Sequence, residues 1–125
     1  MHRSKLTAVL VDVPEEVYDR EVGFWAAATG RQPEVPENNP EYSDFGEVVP
    51  GWQFMVQRVG AAARCHVDVE TDDIDAEVRR LEALGAERVG PVKRWVVMRD
   101  PAGLLFCVVP IQTGEAFERL ATSWP

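Results

Sequence analysis

The feature that most constrains the fold is an internal repeat, in which the same order of strand and helix signals occurs twice. The first copy begins with a β-rich run at Leu6–Val11 and continues into a helix that Pro14 can open and Gly30 can end. Two further strand-like runs follow, at Tyr42–Val49 and Gln53–Val59. A repeated unit of this kind predicts two small modules that fold alike.

The second copy begins at Cys65–Glu70, where apolar and polar residues alternate as they do in a strand with one buried face and one polar face. Asp72 is predicted to cap the helix that follows, and Gly85 to end it. The helix has a single apolar stripe, which predicts that one of its sides packs on a sheet. The stripe consists of Ile74, Val78, Leu81 and Leu84.

Three short strands are predicted after this helix, at Glu87–Val89, Trp95–Arg99 and Leu104–Val109. The turn before the last strand, Asp-Pro-Ala-Gly at 100–103, has the residues that a type I turn favours. Consecutive strands joined by tight turns favour antiparallel meanders over a parallel βαβ sheet. A ferredoxin-like βαββαβ fold, with one strand fewer in each half, is the alternative. A short C-terminal helix is predicted to carry the stripe Phe117, Leu120, Ala121 and Trp124.

Charge and cysteine content exclude several classes of function. The chain has 13 Lys and Arg against 21 Asp and Glu, a net charge of −8 with no basic stripe, so we do not expect a nucleic acid partner. The apolar run before Asp12 is too short for a signal peptide or a membrane span, and Cys65 and Cys107 form no disulfide framework. We therefore expect a cytoplasmic protein with no membrane partner. Its negative charge can attract a cationic small molecule, or can serve solubility alone.

These segments resemble the glyoxalase/bleomycin-resistance/dioxygenase (vicinal oxygen chelate) superfamily, in its glyoxalase-like subgroup. In the second half, the resemblance depends on His66–Asp73, on the Leu-Gly pair that ends the helix, and on Val97–Gly103. In the first half it is carried by Asp12-Val13-Pro14, Phe24-Trp25 and Phe54–Val59. Together these motifs extend the resemblance over most of the chain.

The resemblance implies an α+β fold of two tandem βαβββ modules, at residues 1–60 and 61–111, followed by a short C-terminal helix at 112–125. In the superfamily the two modules form curved half-barrel sheets around a cavity, and many members pair their modules within or between chains. We therefore expect a homodimer, with the final strands and the C-terminal stripe as contacts. Members include lyases, dioxygenases, thiol transferases, epimerases and antibiotic-binding proteins, so the fold alone does not fix the function.

Metal-dependent members take ligands from the first and last strands of each module, and the resemblance places four positions of this chain there. They are Ala8 (or Thr7), Gln57, His66 and Cys107. None is a carboxylate, and only His66 is a conventional ligand, whereas a structural zinc site needs four good ligands and a catalytic one needs three. We therefore expect no cofactor, and a divalent metal held by His66 and Cys107 is the less favoured alternative.

Six residues are predicted to line a small-molecule site: His66, Gln57, Cys107, Trp52, Trp95 and Asp68. Asp68 shares the strand face of His66, and the two tryptophans can stack on a planar ligand, although core or interface packing also explains them. Cys107 with His66 can form an activated thiolate, but the sequence shows no third group to orient the imidazole. The acidic segment at 34–44 is interpreted as a loop over the cavity mouth or as a solvated surface.

The sequence thus predicts a protein that binds a small molecule, cationic or aromatic, between its modules without a conventional metal centre. The alternative is an enzyme of the superfamily, a lyase, dioxygenase or transferase, that uses His66 with an atypical metal set or with no metal. A regulatory domain that binds a partner through its apolar sheet face is a third interpretation. No catalytic residue is assigned. Outside the site, Cys65 is expected to pack under the helix, and His2 to lie in a mobile terminus.

Overall fold

The computed structural model describes all 125 residues, Met1–Pro125. The strands are β1 (His2–Pro14), β2 (Tyr42–Val49), β3 (Trp52–Val59), β4 (Arg64–Thr71), β5 (Glu87–Val92), β6 (Trp95–Arg99), β7 (Leu105–Pro110) and β8 (Thr122–Trp124). The helices are α1 (Tyr18–Thr29), α2 (Ile74–Ala83) and α3 (Glu115–Leu120), and a 3-10 turn at Glu15–Val17 precedes α1. The predicted α+β class is confirmed. None of the helices combines the length and the hydrophobicity that a membrane-spanning helix needs.

The residues divide into two compact units. Ala8–Cys65 make up the N-terminal unit, and His66–Pro125 together with Met1–Thr7 make up the C-terminal unit. Strand β1 contributes its first residues to the C-terminal unit and its remaining residues to the N-terminal unit.

In the N-terminal unit the strand order is β2-β3-β1, with β1 parallel to β3 and β2 antiparallel to β3. Helix α1 ends where Gly30 adopts a left-handed φ of 71°, as the sequence predicted. One face of the sheet packs against the helix region, and these contacts form the core of the unit. That core contains Val13, Tyr18, Phe45 and Val56, with Val22, Trp25 and Phe54 packed against it.

Two strands follow α1 in this unit, and the third strand of the predicted repeat is reduced to an isolated antiparallel bridge. The bridge joins Glu34 to Asp44 through backbone hydrogen bonds of 2.8 and 2.7 Å. Arg58 of β3 also binds the segment, because its backbone N–H donates to the carbonyl of Glu41 at 2.9 Å and its guanidinium donates to the carbonyl of Pro40 at 3.0 Å. The acidic loop is therefore held by contacts within its own unit.

In the C-terminal unit the strand order is β4-β7-β6-β5, with β4 parallel to β7 and the other neighbours antiparallel. Three strands follow α2, as the repeat predicted, whereas the ferredoxin-like alternative would have one strand fewer in this half. The predicted turn leads into β7, where the carboxylate of Asp100 accepts from the backbone N–H groups of Ala102 and Leu104 at 3.0 and 2.8 Å. Gly103 completes this turn with a left-handed φ of 91°.

Helix α2 covers one face of this sheet. The buried cluster beneath it contains Val78, Met98, Phe106 and Val108, with Val67, Val69, Ile74, Leu81 and Val96 packed against it. The cap differs from its prediction, because Asp73 rather than Asp72 accepts from the backbone N–H of Ala76 at 2.9 Å. Asp72 instead accepts from Nε of Arg3 at 3.1 Å. The predicted stripe is also one residue too long, since Leu84 lies at the C-cap with its side chain exposed.

The C-terminal segment does not form the single helix that the sequence predicted. Helix α3 ends at Leu120, and Trp124 lies on β8, which pairs antiparallel with His2–Ser4 at the start of β1. Phe117 is fully buried within its unit, so it cannot be the dimer contact that we expected. His2 is buried too, because it begins β1 and its ring contacts Glu77, which contradicts the prediction of a mobile terminus.

Candidate functional site

Strands β4 and β7 place three polar side chains on the face of the C-terminal sheet that α2 leaves uncovered. The residues on either side of Asp68 pack toward α2, and so do the residues on either side of Cys107. Because side chains alternate along a strand, His66, Asp68 and Cys107 all lie on the opposite face. Asp68 is directly across from Cys107 in the parallel pairing of the two strands. Cys65, which precedes His66, is exposed rather than buried as predicted.

The structure brings His66, Asp68 and Cys107 together, and we call these three residues the polar cluster. Nε2 of His66 lies 3.5 Å from Oδ1 of Asp68, and one donor atom from each residue lies within 4.8 Å of the other two. The side chains of His66 and Asp68 are only 10% and 8% exposed. Asp68, which the strand alternation placed on the face of His66, thus supplies a third polar group beside the Cys–His pair.

Glu70 follows on the same face of β4 but has a structural role. Its buried carboxylate accepts from the backbone N–H groups of Gln112 and Thr113 at 2.6 and 3.0 Å, and from the hydroxyl of Thr113. The ammonium of Lys5 lies 3.2 Å away. Burial raises the pKa of Glu70, but these hydrogen bonds outweigh it and leave the pKa below its usual value. Glu70 therefore holds the segment after β7 and stabilises the unit.

The two predicted tryptophans lie in different units. Trp95 begins β6, and because Val97 of that strand pairs with Cys107, the alternation of β6 puts Trp95 on the same face as the polar cluster. The ammonium of Lys93 lies 5.8 Å from the centroid of the Trp95 ring. Trp52 begins β3 in the N-terminal unit, where it is partly buried.

Gln57 also belongs to the N-terminal unit. It lies on β3, opposite Asp12 of β1 and Tyr42 of β2. Asp12 is buried, and its carboxylate lies 3.4 Å from Nε of Arg64. The polar cluster is therefore formed by the C-terminal unit alone, and Gln57 and Trp52 are not part of it.

The four ligand positions of the superfamily do not fit a divalent ion in this chain. Ala8 is fully buried in an apolar cluster with Leu10 and Met55, and its side chain has no atom that binds a metal. The alternative residue, Thr7, has a buried hydroxyl without a hydrogen-bond partner, and a neutral hydroxyl is a poor ligand. Gln57 offers only a neutral amide. The set thus lacks the carboxylates that hard ions such as Mn²⁺ prefer.

A second group of polar residues, centred on the buried carboxylate of Glu77, was not predicted from the sequence, and we call it the anchor cluster. Nε2 of His2 lies 2.6 Å from Oε2 of Glu77, and the hydroxyl of Ser4 donates to Oε1 at 2.9 Å. Arg80 donates to both oxygens at 2.9 and 2.8 Å, and its guanidinium lies 3.8 Å from the ring centroid of Trp124. The anchor cluster joins β1, α2 and β8, and its one sequence signal was the helical spacing of Glu77 and Arg80.

A comparison with protein families gives a match over residues 8–109 to the family described as glyoxalase-like domain. This range contains all three residues of the polar cluster. No curated protein matches the chain significantly.

Several solved structures have a similar fold. The Mn(II)-bound glyoxalase from Novosphingobium aromaticivorans is 21% identical with a TM-score of 0.63, and the match covers 88% of this chain and 40% of that one. The NAD-dependent benzaldehyde dehydrogenase from Legionella pneumophila is 13% identical with a TM-score of 0.60, covering 83% and 99%. A methylmalonyl-CoA epimerase variant from Streptomyces coelicolor, bound to 2-nitronate-propionyl-CoA, is 15% identical with a TM-score of 0.59, covering 85% and 96%. At these identities the likeness shows the fold alone, and it confirms the fold that the resemblance implied.

Proposed function

Because the chain belongs to the glyoxalase-like domain family, we propose that it binds a small organic cation with a planar aromatic part, without the four-ligand metal centre of the superfamily. The binding surface is the face of the C-terminal sheet that carries the polar cluster. The main support is the His66–Asp68 pair, which is nearly buried on a sheet face that the hydrophobic core of its unit does not use. A shielded imidazole–carboxylate pair outside a core is typical of a binding or catalytic site.

The chemistry around the polar cluster favours a cation over a neutral or anionic ligand. Asp68 supplies a carboxylate, and the imidazole of His66 supplies one donor and one acceptor that can orient a polar group. Trp95 supplies an aromatic surface on the same sheet face, on which a planar ring or a cation can stack. The net charge of −8 attracts cations before contact.

The proposal is tested with 9-aminoacridine, which is a planar aromatic cation. Acridine is the control ligand, because it has a similar shape but is uncharged above neutral pH. We expect calorimetric titration in EDTA at low salt to show binding of the cation, and added salt to weaken this binding through screening.

Asp68→Asn should weaken binding of the cation at least about tenfold, since a hydrogen bond to a charged group contributes about 1.5–3 kcal/mol. Glu82→Gln is the control because it removes an exposed carboxylate that pairs with Arg88 at 3.3 Å. Equal binding of both acridines, or equal loss in both variants, would contradict the proposal.

An enzyme is the second candidate, and the observation that favours it is the meeting of Asp68 with His66 and Cys107. An imidazole beside a carboxylate can accept and return a proton during a reaction. Two structurally similar proteins, a glyoxalase and an epimerase, suggest the trial substrates. These are the hemithioacetal of methylglyoxal with glutathione, and methylmalonyl-CoA in deuterium oxide. Product or solvent exchange that disappears in His66→Ala supports an enzyme, and no turnover with or without added metal supports binding alone.

A further inference from the structure

We infer that the ligand of the polar cluster is a zwitterion, in which the aromatic cation of the proposed function also carries a carboxylate. The main support is Arg99, an exposed cation that lies on the same face of the C-terminal sheet. The inference rests on the proposed function, because it names a second charged group on the same ligand. It is tested with compounds that carry one charge or both.

Strand β6 places Arg99 on the face of the polar cluster. Met98 is fully buried beneath α2, so Arg99, the next residue of the strand, points to the opposite face. Arg99 pairs with Leu105 of β7. The parallel register of β4 and β7, extended by one residue, puts His66 on the other side of Leu105. Arg99 and His66 therefore belong to one row that crosses three strands.

The opposite charges of this face lie on different strands. The carboxylate of Asp68 is on β4, whereas the guanidinium of Arg99 is on β6. A second cation lies beside β6, because the ammonium of Lys93 is 5.8 Å from the ring centroid of Trp95. Neighbouring strands are about 4.8 Å apart, so two strand spacings, about 10 Å, separate β4 from β6. A ligand with a single charge meets only one of these sides, and a zwitterion meets both.

The surface between the two charged strands suits an aromatic ring. Val97 and Leu105 lie there with Cys107, and all three are partly exposed. Contact with these side chains favours a planar ring through the hydrophobic effect. A ring with its two charged groups at opposite ends can therefore reach Asp68 with one group and the long side chain of Arg99 with the other.

Arg99 is available to bind an anion. Its side chain forms no ion pair within the chain, although Glu87 lies directly across from it on β5. A guanidinium presents two parallel N–H donors that match the two oxygens of a carboxylate. Glu87 is the acid that competes with a bound carboxylate for this guanidinium, so loss of its charge should strengthen the binding of a carboxylate.

Two compounds of similar shape separate the charges. At neutral pH, 4-(aminomethyl)benzoate is a zwitterion, whereas its methyl ester keeps only the ammonium. Binding is followed in EDTA at low salt through the amide resonances of isotope-labelled protein. We expect the zwitterion to bind about fivefold more tightly than the ester, because only the zwitterion offers a carboxylate to Arg99. The third compound, 4-methylbenzoate, keeps only the carboxylate and should also bind more weakly than the zwitterion.

Three variants assign this preference to the guanidinium. Arg99→Gln should give the zwitterion and the ester equal affinity, because the carboxylate loses its partner. Arg79→Gln is the matched control, since it removes the same charge from an exposed position on α2, which covers the other face of the sheet. It should keep the preference, and Glu87→Gln should increase it. Melting temperatures establish that each variant is folded.

Equal affinity of the wild type for the zwitterion and the ester would overturn the inference, and so would a preference that survives in Arg99→Gln or disappears in Arg79→Gln. Equal binding of the zwitterion and 4-methylbenzoate would show a site for anions and would overturn it as well. Binding of 9-aminoacridine and the ester without a preference for the zwitterion counts against the inference alone. If no compound that carries a cation binds, the proposed function fails and the inference falls with it.

Discussion

Glu77 lies in the first turns of α2, yet its side chain is fully buried. Burial raises its pKa, but the hydrogen bonds from Arg80, His2 and Ser4 outweigh this and hold the pKa below its usual value. The contact with Glu77 in turn raises the pKa of Arg80. A buried carboxylate that accepts from three donors stabilises the unit while it is ionised, because each donor would otherwise lose its partner.

Glu77→Gln should lower the free energy of unfolding at neutral pH by about 1–3 kcal/mol, since a neutral amide is a weaker acceptor for three donors. Urea denaturation measures this, and Glu82→Gln on the exposed side of α2 should change it by less than about 0.5 kcal/mol. Because the folded pKa is depressed, the contribution of Glu77 is present above its ordinary pKa of 4.5 and is lost as the pH falls through the lower folded value. The gap between wild type and Glu77→Gln should therefore narrow in acid, and a constant gap would contradict this account.

His66 belongs to none of the three hydrophobic clusters of the molecule. His66→Ala should weaken binding of 9-aminoacridine by about 1–3 kcal/mol, the cost of leaving a polar partner unpaired. The same variant should melt at the temperature of the wild type. Affinity and melting temperature are measured on one preparation, and lost stability with unchanged affinity would show that the ring only supports its strand.

At the scale of single elements, the start of helix α2 depends on the side chain of Asp73, which caps it. Asp73→Ala should destabilise the protein by about 1 kcal/mol, because the N–H of Ala76 loses its acceptor, whereas Asp73→Asn should cost little since Asn also caps helices. Asp75→Ala is the control, because Asp75 lies in the same first turn but does not form the cap. Chemical denaturation of the three variants gives the comparison. Equal losses at 73 and 75 would instead indicate an effect of charge on the helix dipole.

Strand β8 is anchored mainly by Trp124. The indole N–H donates to the hydroxyl of Ser4 at 2.8 Å, and the guanidinium of Arg80 stacks on the ring. Trp124→Ala should therefore lower the free energy of unfolding by about 1–3 kcal/mol. Ser123→Ala, at an exposed position on the same strand, should change it by less than about 0.5 kcal/mol. Similar thermal stability of the two variants would show that β8 adds little to the unit.

For the whole molecule we predict a homodimer. An open sheet leaves an edge strand that needs covering, and β5 at the edge of the C-terminal sheet exposes Val89 and Val92. Within the expected C-terminal contact, Leu120 is exposed whereas Phe117 is not. Light scattering at micromolar concentration should give about twice the chain mass of 14.0 kDa, and Leu120→Arg should shift the protein toward the monomer. A wild-type mass near 14.0 kDa would contradict the dimer.

The residue pattern was sufficient to predict the strands β1 to β7 and the helices α1 and α2 in order, together with the facing of side chains along the strands, but it did not predict β8. Gly30 and the turn at Asp100 were recognisable because helix ends and tight turns depend on local backbone chemistry. The alternation at His66–Glu70 placed His66 and Asp68 on one face, because the period of a strand is fixed by its geometry. The resemblance to the family implied the same fold, and it drew attention to His66 and Cys107 as positions where related proteins hold a metal.

Which polar side chains contact one another followed only from the packing of distant segments. The register between β4 and β7 put Cys107 across from Asp68, and the pairing of β8 with the first residues of β1 brought His2 to Glu77. Both the register and the strand pairing depend on contacts between segments that are distant along the chain. A local periodic pattern fixes the face on which a side chain lies, but it does not fix which distant strand will lie beside it or in what register.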